Sequence, residues 1–105
     1  MEFLVVGLNH RTAPIEIRER LAITKSRLLE ALELMGGYIE QGVIIGTCNR
    51  SEVYTMGNTD LTGRIEQFFS DYSQTSTDDV GRYFYRLGQE ECIHHLFCVA
   101  SSLDS

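Results

Sequence analysis

Residues 43–56, VIIGTCNRSEVYTM, place two strand signals on either side of a short polar connection. Residues 43–45 form a continuous apolar run, which is typical of a buried strand. Residues 52–56 are rich in side chains that favour strands. The intervening residues 46–51, GTCNRS, are mostly polar. This pattern predicts two strands joined by a polar connection near the middle of the chain.

The segments upstream of this pair begin an alternating order of strands and helices. Residues 3–8 are an apolar strand run, and residues 9–14 are a polar loop. Helices are predicted at residues 14–21 and 25–35, the first of them beginning at Pro14, whose missing N–H is not needed there. The apolar face of the second helix consists of Leu28, Ala31, Leu32 and Met35.

Downstream, Thr59 is a candidate N-cap for a third helix, residues 73–79 are a predicted loop, and residues 83–85 are a predicted fourth strand. A last helix begins near Gln89. The apolar faces are Leu61, Ile65, Phe68, Phe69 and Tyr72 in the third helix, and Ile93, Leu96, Phe97, Ala100 and Leu103 in the last. The order β-α-β-β-α-β-α predicts an α+β fold, namely a ferredoxin-like split βαβ antiparallel sheet with helices packed on one face.

Length and composition limit the class of protein. A chain of 105 residues is about one small domain, and its 43% apolar and 23% charged residues are ordinary for a globular protein. This composition excludes a disordered tail, a collagen-like chain and a membrane protein. The apolar run at residues 3–8 is far shorter than the ~20 residues of a membrane span. Because this run follows Glu2 and not a basic segment, no signal peptide is predicted, and we expect a cytoplasmic protein without a membrane partner.

The net charge of -6 lies in the second half of the chain, because acids and bases balance within residues 1–50. Unaided nucleic-acid binding depends on neutralising phosphates, so this domain is a poor candidate for it. Gly36 and Gly37 are an isolated pair, and no glycine-rich dinucleotide fingerprint or Walker motif occurs in the sequence.

Cys48 lies in the polar connection between the two central strands, which is unlike the position of a core thiol. Three cysteines do not suggest a disulfide framework, so each requires its own explanation. Arg50, two residues further on, favours the thiolate form that acts as a nucleophile. Two interpretations stay open at this point: a nucleophilic cysteine, and a surface turn that happens to hold a cysteine.

A stretch rich in cysteine and histidine near the C-terminus is the second candidate. On a helix, His94 faces Cys98 and Cys92 faces His95, so either pair can supply two metal ligands. A structural zinc site requires four ligands, and no partner motif occurs elsewhere in the sequence. The alternatives are an amphipathic helix with polar residues at its edge, and a histidine that exchanges a proton with Cys48.

The loop at residues 9–11, Asn-His-Arg, is the third candidate. It follows a strand and precedes a helix, so its side chains can project into a cleft at one end of a sheet. The alternative is a loop that caps the helix and exposes its polar residues, and spacing alone favours this alternative.

Three segments together resemble glutamyl-tRNA reductases. Residues 7–14, GLNHRTAP, with IRE at 17–19, resemble the opening of that family. Residues 47–54, TCNRSEVY, resemble its catalytic-cysteine motif, and residues 95–105, HLFCVASSLDS, resemble its next motif. The segments occur in the family's order and span nearly the whole chain. The resemblance implies that residues 1–105 are the N-terminal catalytic domain of such an enzyme.

The same resemblance implies an activity and its partners. The family reduces glutamyl-tRNA to glutamate-1-semialdehyde with NADPH, the first committed step of tetrapyrrole synthesis from glutamate. A cysteine takes the glutamyl group as a thioester, which then accepts hydride, so that one difficult step becomes two easier ones. An NADPH-binding Rossmann domain and a helical domain that forms the homodimer are expected beyond residue 105. These domains can supply basic surface for the tRNA, while this domain admits its acylated 3′ end.

Residue roles follow from the resemblance position by position. Cys48 is the nucleophile, and Arg50 holds a substrate carboxylate through a two-pronged contact. Thr47 and Asn49 line the same pocket, and His95 is an acid–base group or a polariser of the reacting carbonyl. No metal is implied. No family role falls on His94, Cys92 or Cys98, and the two cysteines are interpreted as structural thiols.

Ser105 matches a serine that contacts substrate in the family. A continuous helix from His95 to Ser105 spans ~15 Å, so both residues line one pocket only if the helix ends between them. Ser102 stands where the family usually has glycine, the natural helix breaker. The alternative function is a non-catalytic ferredoxin-like binding or regulatory module, in which Cys48 is unreactive.

Overall fold

Four antiparallel strands form the sheet at the centre of the fold. They are β1 (Glu2–Asn9), β2 (Gly42–Thr47), β3 (Arg50–Gly57) and β4 (Tyr85–Gly88), in the order β2-β3-β1-β4. A computed structural model describes residues 2–57 and 60–101. Because β3 is inserted between β1 and β2, the arrangement is a split βαβ unit. The expected ferredoxin-like α+β fold is confirmed.

The helices of the described residues lie between and after the strands. They are α1 (Ile15–Leu21), α2 (Leu28–Met35), α3 (Thr62–Ser73), α4 (Thr77–Val80) and α5 (Gln89–Ala100). Single 3₁₀ turns precede α2 and β4. Within the described part of the chain, no helix has the length and apolar character that a membrane crossing requires.

One face of the sheet packs against α1 to α4 and forms the main core. Val6 and Leu8 of β1 belong to this core, and Val53 of β3 lies directly opposite Val6. Their helical partners include Leu21, Ala31, Met35, Ile65, Phe68, Phe69 and Val80. Since directly opposite residues of antiparallel strands share a face, this register also fixes which side chains point to the other side of the sheet.

The last helix, α5, covers that other side, which differs from the expectation that all helices pack on one face. Val5 and Tyr54 form a second, smaller core with Cys92 of α5. The sheet carries apolar side chains on both faces, and a helix on each side is needed to bury them. The expectation of a shared face holds only for the helices before β4.

The face of α5 that is buried also differs from the face that its apolar periodicity predicts. Cys92 is 4% exposed, whereas Ile93, Leu96 and Phe97 are 39%, 40% and 67% exposed. His95 turns towards the sheet and contacts a buried carboxylate there. The buried face of α5 therefore carries Cys92 and the polar contact of His95, and apolar spacing alone carries no signal of that contact.

Two element boundaries differ from those that the sequence predicts. β4 begins at Tyr85, where the aromatic run of residues 83–85 was expected to form the strand. The predicted loop at residues 73–79 contains the start of α4, whose N-cap Ser76 accepts a hydrogen bond from the backbone of Asp78. Thr59 and Leu103 lie outside the described residues.

Candidate active site

The β2–β3 hairpin places Cys48 and Asn49 at its tip. Thr47 and Arg50 are the last paired residues on either side of this two-residue turn. The backbone N–H of Asn49 donates to Oγ1 of Thr47 at 3.2 Å, which ties the turn to the end of β2. Cys48 is exposed. The cysteine that the sequence singles out is therefore accessible at a hairpin tip and is not packed in the interior.

Arg50 begins β3 and is directed to the face that α5 covers. It is 5% exposed and lies opposite Asn9 of β1 and Thr47 of β2. Its Nη1 is 3.4 Å from Oε2 of Glu52. A guanidinium this buried requires a counter-charge, and the Glu52 carboxylate supplies one.

Glu52 is fully buried on the same face and is the centre of a hydrogen-bonded cluster. The hydroxyl of Tyr54 donates to its Oε1 at 2.8 Å, and the hydroxyl of Tyr85 donates to its Oε2. Nε2 of His95 lies 2.5 Å from Oε2. We call Arg50, Glu52, Tyr54, Tyr85 and His95 the Glu52 cluster. It brings together two residues that the sequence predicts for the site, Arg50 and His95.

Glu52 and the two tyrosines were missed by sequence reasoning. The available signal was a glutamate inside a strand run, two residues from Tyr54 and so on the same face of the strand. Glutamate is depleted in strands and almost never fully buried without a partner. A charged residue at such a position therefore indicates a buried polar site on that face of the sheet.

Gly7 provides the room that the Glu52 side chain occupies. It lies directly opposite Glu52 in the β1–β3 pair. A Cβ at this position would stand 2.5 Å from the backbone oxygen of Ser51 and 2.8 Å from Cγ of Glu52. The close approach of β1 and β3 at this position is therefore compatible only with glycine. The missing side chain leaves the space that the side chain of Glu52 occupies.

The surroundings keep the hydroxyl donors of the cluster protonated. Burial raises the pKa of Tyr54 and of Tyr85 far above the usual tyrosine range, and the neighbouring Glu52 carboxylate raises both further. Both hydroxyls therefore remain donors at neutral pH. Burial, followed by the Glu52 charge, also raises the pKa of Cys92. A buried, protonated thiol is a poor nucleophile, in contrast to an exposed one.

A cavity of about 540 Å³ opens beside α5, next to the Glu52 cluster. Its lining residues are Arg11, Leu87, Glu90, Glu91, His94, His95 and Cys98. Cavities of this volume are typical of small-molecule sites. His95 belongs both to the cluster and to the cavity wall. Cys48 lies at the end of the sheet where β1 ends, because Arg50, two residues further on, pairs with Asn9.

The loop after β1 brings Arg11 to this cavity. Asn9 is buried, and its Oδ1 accepts hydrogen bonds from the backbone N–H groups of Arg11 at 2.9 Å and Thr12 at 3.2 Å. Its own N–H donates to Oγ1 of Thr12 at 3.0 Å. Asn9 therefore shapes the loop but is buried and caps no helix, because α1 has Pro14 as its N-cap with no side-chain hydrogen bond, which differs from the helix-capping alternative. Arg11 lines the cleft.

The zinc hypothesis at Cys92, His95 and Cys98 finds no support in the described residues, where no three metal-ligating side chains gather. His95 faces Glu52, and Sγ of Cys98 lies 3.5 Å from Nε2 of His94. Ser102 and Ser105 lie outside the described residues, so the place of Ser105 in the site stays a prediction.

A dinucleotide cofactor does not fit the described part of the chain. All four strands there are antiparallel, and no glycine-rich turn leads from a strand into a helix. Dinucleotide sites depend on such a turn after a parallel strand, with the phosphates at the helix N-terminus. The described residues therefore do not form the phosphate-binding turn of a dinucleotide site.

These features define a class of protein: a ferredoxin-like α+β domain with an accessible hairpin cysteine beside a buried arginine–glutamate–histidine cluster. The sequence model of one family, described as Glutamyl-tRNAGlu reductase, N-terminal domain, matches residues 6–105. The chain belongs to this family.

Full-length relatives agree with this assignment. The chain is 45% identical over 111 residues to glutamyl-tRNA reductase 2 of Koribacter versatilis, covering 100% of this chain and 24% of that protein. It is 40% identical over 109 residues to glutamyl-tRNA reductase of Carboxydothermus hydrogenoformans, with the same coverage of 100% and 24%. The chain thus spans about a quarter of the length of the curated relatives it matches.

A solved structure shares the fold. The glutamyl-tRNA reductase from Methanopyrus kandleri superposes with a TM-score of 0.68 at 25% sequence identity. The match covers 98% of this chain and 23% of that one. The overall fold of this chain therefore belongs to a known domain architecture.

Proposed function

We propose that this chain is the glutamyl-transfer domain of an NADPH-dependent glutamyl-tRNA reductase, which forms glutamate-1-semialdehyde in the first step of tetrapyrrole synthesis. The observation that carries the proposal is the exposed Cys48 two residues before Arg50 of the Glu52 cluster, in a chain that belongs to this family. The non-catalytic module is the alternative, and it predicts an inert Cys48.

Cys48 is the proposed nucleophile. Its thiolate attacks the ester carbonyl of glutamyl-tRNA, so that a C–S bond forms and the C–O bond to the terminal ribose breaks. The released ribose oxygen takes a proton. NADPH, bound by another domain of the full-length protein, would supply the hydride that the thioester carbonyl on Cys48 accepts. The C–S bond breaks, the thiolate returns, and the aldehyde leaves.

The neighbours of Cys48 have binding roles in this proposal. Arg50 holds the side-chain carboxylate of the glutamyl group, because a guanidinium fork matches a carboxylate in geometry and charge. Thr47 and Asn49 flank the sulfur in the turn and contact the same group. Ser105 is proposed to contact substrate as well, on the resemblance alone.

His95 is the proposed acid–base group or polariser of the reacting carbonyl. Its ring lines the cavity beside α5, so a substrate group that enters there meets the imidazole. Imidazole is the side chain best suited to exchange protons near neutral pH. The partners proposed for the whole protein are glutamyl-tRNA and a second copy of itself through a later domain, in the cytoplasm and without a membrane.

A reduction assay on the full-length protein tests the function. With glutamyl-tRNA and NADPH, we expect one aldehyde formed for each NADPH oxidised. Free glutamate in place of glutamyl-tRNA is the matched control and yields no product, because a free carboxylate is not activated for acyl transfer. Absence of aldehyde with glutamyl-tRNA would contradict the proposal.

Arg50→Lys in the full-length protein is expected to raise the KM for glutamyl-tRNA by about tenfold, with a smaller effect on kcat. Lysine keeps the positive charge but loses the planar fork that grips a carboxylate. Steady-state kinetics measure the split. The control is Arg86→Lys, because Arg86 pairs with Glu66 on the main-core side of the sheet. An unchanged KM in Arg50→Lys would show that this guanidinium does not bind substrate.

A further inference from the structure

The proposed mechanism gives Glu52 no role, although its carboxylate contacts both the proposed substrate-binding arginine and the proposed catalytic histidine. Its carboxylate is fully buried and contacts Arg50 and His95 through the same oxygen, Oε2, at 3.4 and 2.5 Å. A fully buried carboxylate is costly unless every acceptor site is used. A carboxylate that is costly to bury and that contacts both of these side chains requires a physical explanation.

We infer that Glu52 is the positioning residue of the site: it fixes the ring orientation and the tautomer of His95 for transfer of the glutamyl group. This inference rests on the proposed function. Glu52 is assigned no contact with substrate and acts only through His95 and Arg50, both of which its Oε2 contacts.

The hydrogen bond decides which nitrogen of His95 carries the proton. The Glu52 carboxylate accepts from two tyrosine hydroxyls, so we assign the N–H of His95 to Nε2, which lies 2.5 Å from Oε2. This tautomer has its lone pair on Nδ1. Nδ1 is the nitrogen left to exchange a proton with the substrate or with the leaving ribose oxygen. A carboxylate that orients an imidazole in this way is a recurring device of catalytic sites.

The carboxylate is itself held in place from two strands. Tyr54 donates to Oε1 from β3, and Tyr85 donates to Oε2 from β4. The ring of Tyr85 also packs against the imidazole of His95, with centroids 5.2 Å apart. Because the donors come from different strands, the carboxylate cannot rotate without breaking a bond to one of them. The position of His95 is thereby tied to the sheet and not only to α5.

Other charged and titratable groups surround the imidazole, and the test must separate their effects from that of Glu52. Glu52 from β3 and Tyr85 from β4 contact the imidazole, and Arg50 and Tyr54 contact the same carboxylate. The groups that line the cavity with His95 are Arg11 from the loop after β1 and Glu90, Glu91, His94 and Cys98 from α5 itself. A double-mutant cycle isolates the coupling between one pair of residues in such surroundings.

The cycle uses Glu52→Gln, His95→Asn and the double variant in the full-length enzyme. The measurement is the single-turnover rate at which Cys48 is acylated by glutamyl-tRNA in the absence of NADPH. Glutamine keeps the size of the side chain but presents an amide, which cannot hold both the N–H of His95 and two hydroxyl donors as a carboxylate does. We expect Glu52→Gln to slow acylation about 30-fold when His95 is present, and by less than twofold in the His95→Asn background.

The matched control is Glu66→Gln, which removes a carboxylate paired with Arg86 and leaves the Glu52 cluster intact. It is expected to keep the wild-type rate within twofold. If Glu52→Gln does not fold, Tyr85→Phe replaces it in the cycle, because it removes one donor from the same carboxylate. Its smaller loss of rate should likewise vanish in the His95→Asn background.

Two results overturn the inference, and they differ from each other. An equal loss of rate with and without His95 shows that Glu52 only supports the fold. A wild-type enzyme that is never acylated at Cys48 contradicts the proposed function, and this role for Glu52 falls with it.

Discussion

Cys48→Ser in the full-length protein is expected to lower the rate of glutamyl-tRNA reduction by on the order of 10⁴-fold or more. A serine hydroxyl is a much weaker nucleophile than a cysteine sulfur, and only the sulfur forms a thioester. The substitution is nearly isosteric at an exposed position. It therefore tests chemistry and leaves the fold undisturbed. Aldehyde formation measures the effect.

Cys92→Ala is the matched control for this experiment. Cys92 is buried against Val5 and Tyr54, and the expected result is turnover within about fivefold of wild type together with a modest loss of stability, roughly 1 kcal/mol. Loss of activity in Cys92→Ala with retention in Cys48→Ser would reverse the assignment of the nucleophile.

Gly7→Ala is expected to lower the free energy of unfolding of this chain by about 2–4 kcal/mol. The new Cβ would lie 2.5 Å from the backbone oxygen of Ser51, and backbone cannot give way as a flexible side chain does. Either β1 separates from β3 or Glu52 leaves its place, and both outcomes disrupt the Glu52 cluster. Urea unfolding followed by circular dichroism measures the change.

Gly63→Ala makes the same chemical change at a site with free space. Gly63 lies in α3, and apart from its chain neighbours and the backbone of its own helix, no atom stands within 4 Å of the position that its Cβ would take. The expected result is a small gain of stability, about 0.5–1 kcal/mol, because alanine is the better helix former. A Gly7→Ala variant as stable as Gly63→Ala would show that the β1–β3 pair tolerates a side chain at position 7.

The fold could be predicted from the sequence because its elements depend on local patterns. The apolar runs at residues 3–8 and 43–45 specify strands, and the polar connection between β2 and β3 specifies a hairpin. The placement of α5 could not be predicted in this way. Its apolar stripe favours burial of Ile93 and Leu96, while the structure buries Cys92 and turns His95 towards Glu52, a contact that apolar spacing does not encode.

The candidate site could be predicted only in part for a related reason. The sequence marks Cys48 and Arg50 because they are close together in a polar connection. Tyr85 is 33 residues from Glu52, and His95 is 43 residues from it. Contacts of such separation depend on strand order and register, which short-range patterns do not contain. The residue at their centre, Glu52, becomes visible only when the sheet is assembled.

Peptide mass analysis after incubation of the full-length protein with glutamyl-tRNA, without NADPH, tests the central claim most directly. The account predicts one glutamyl group on the sulfur of Cys48, released by hydroxylamine, and its absence in Cys48→Ser. A protein that reduces glutamyl-tRNA while the Cys48 peptide remains unmodified, or carries the group on another residue, would contradict the account.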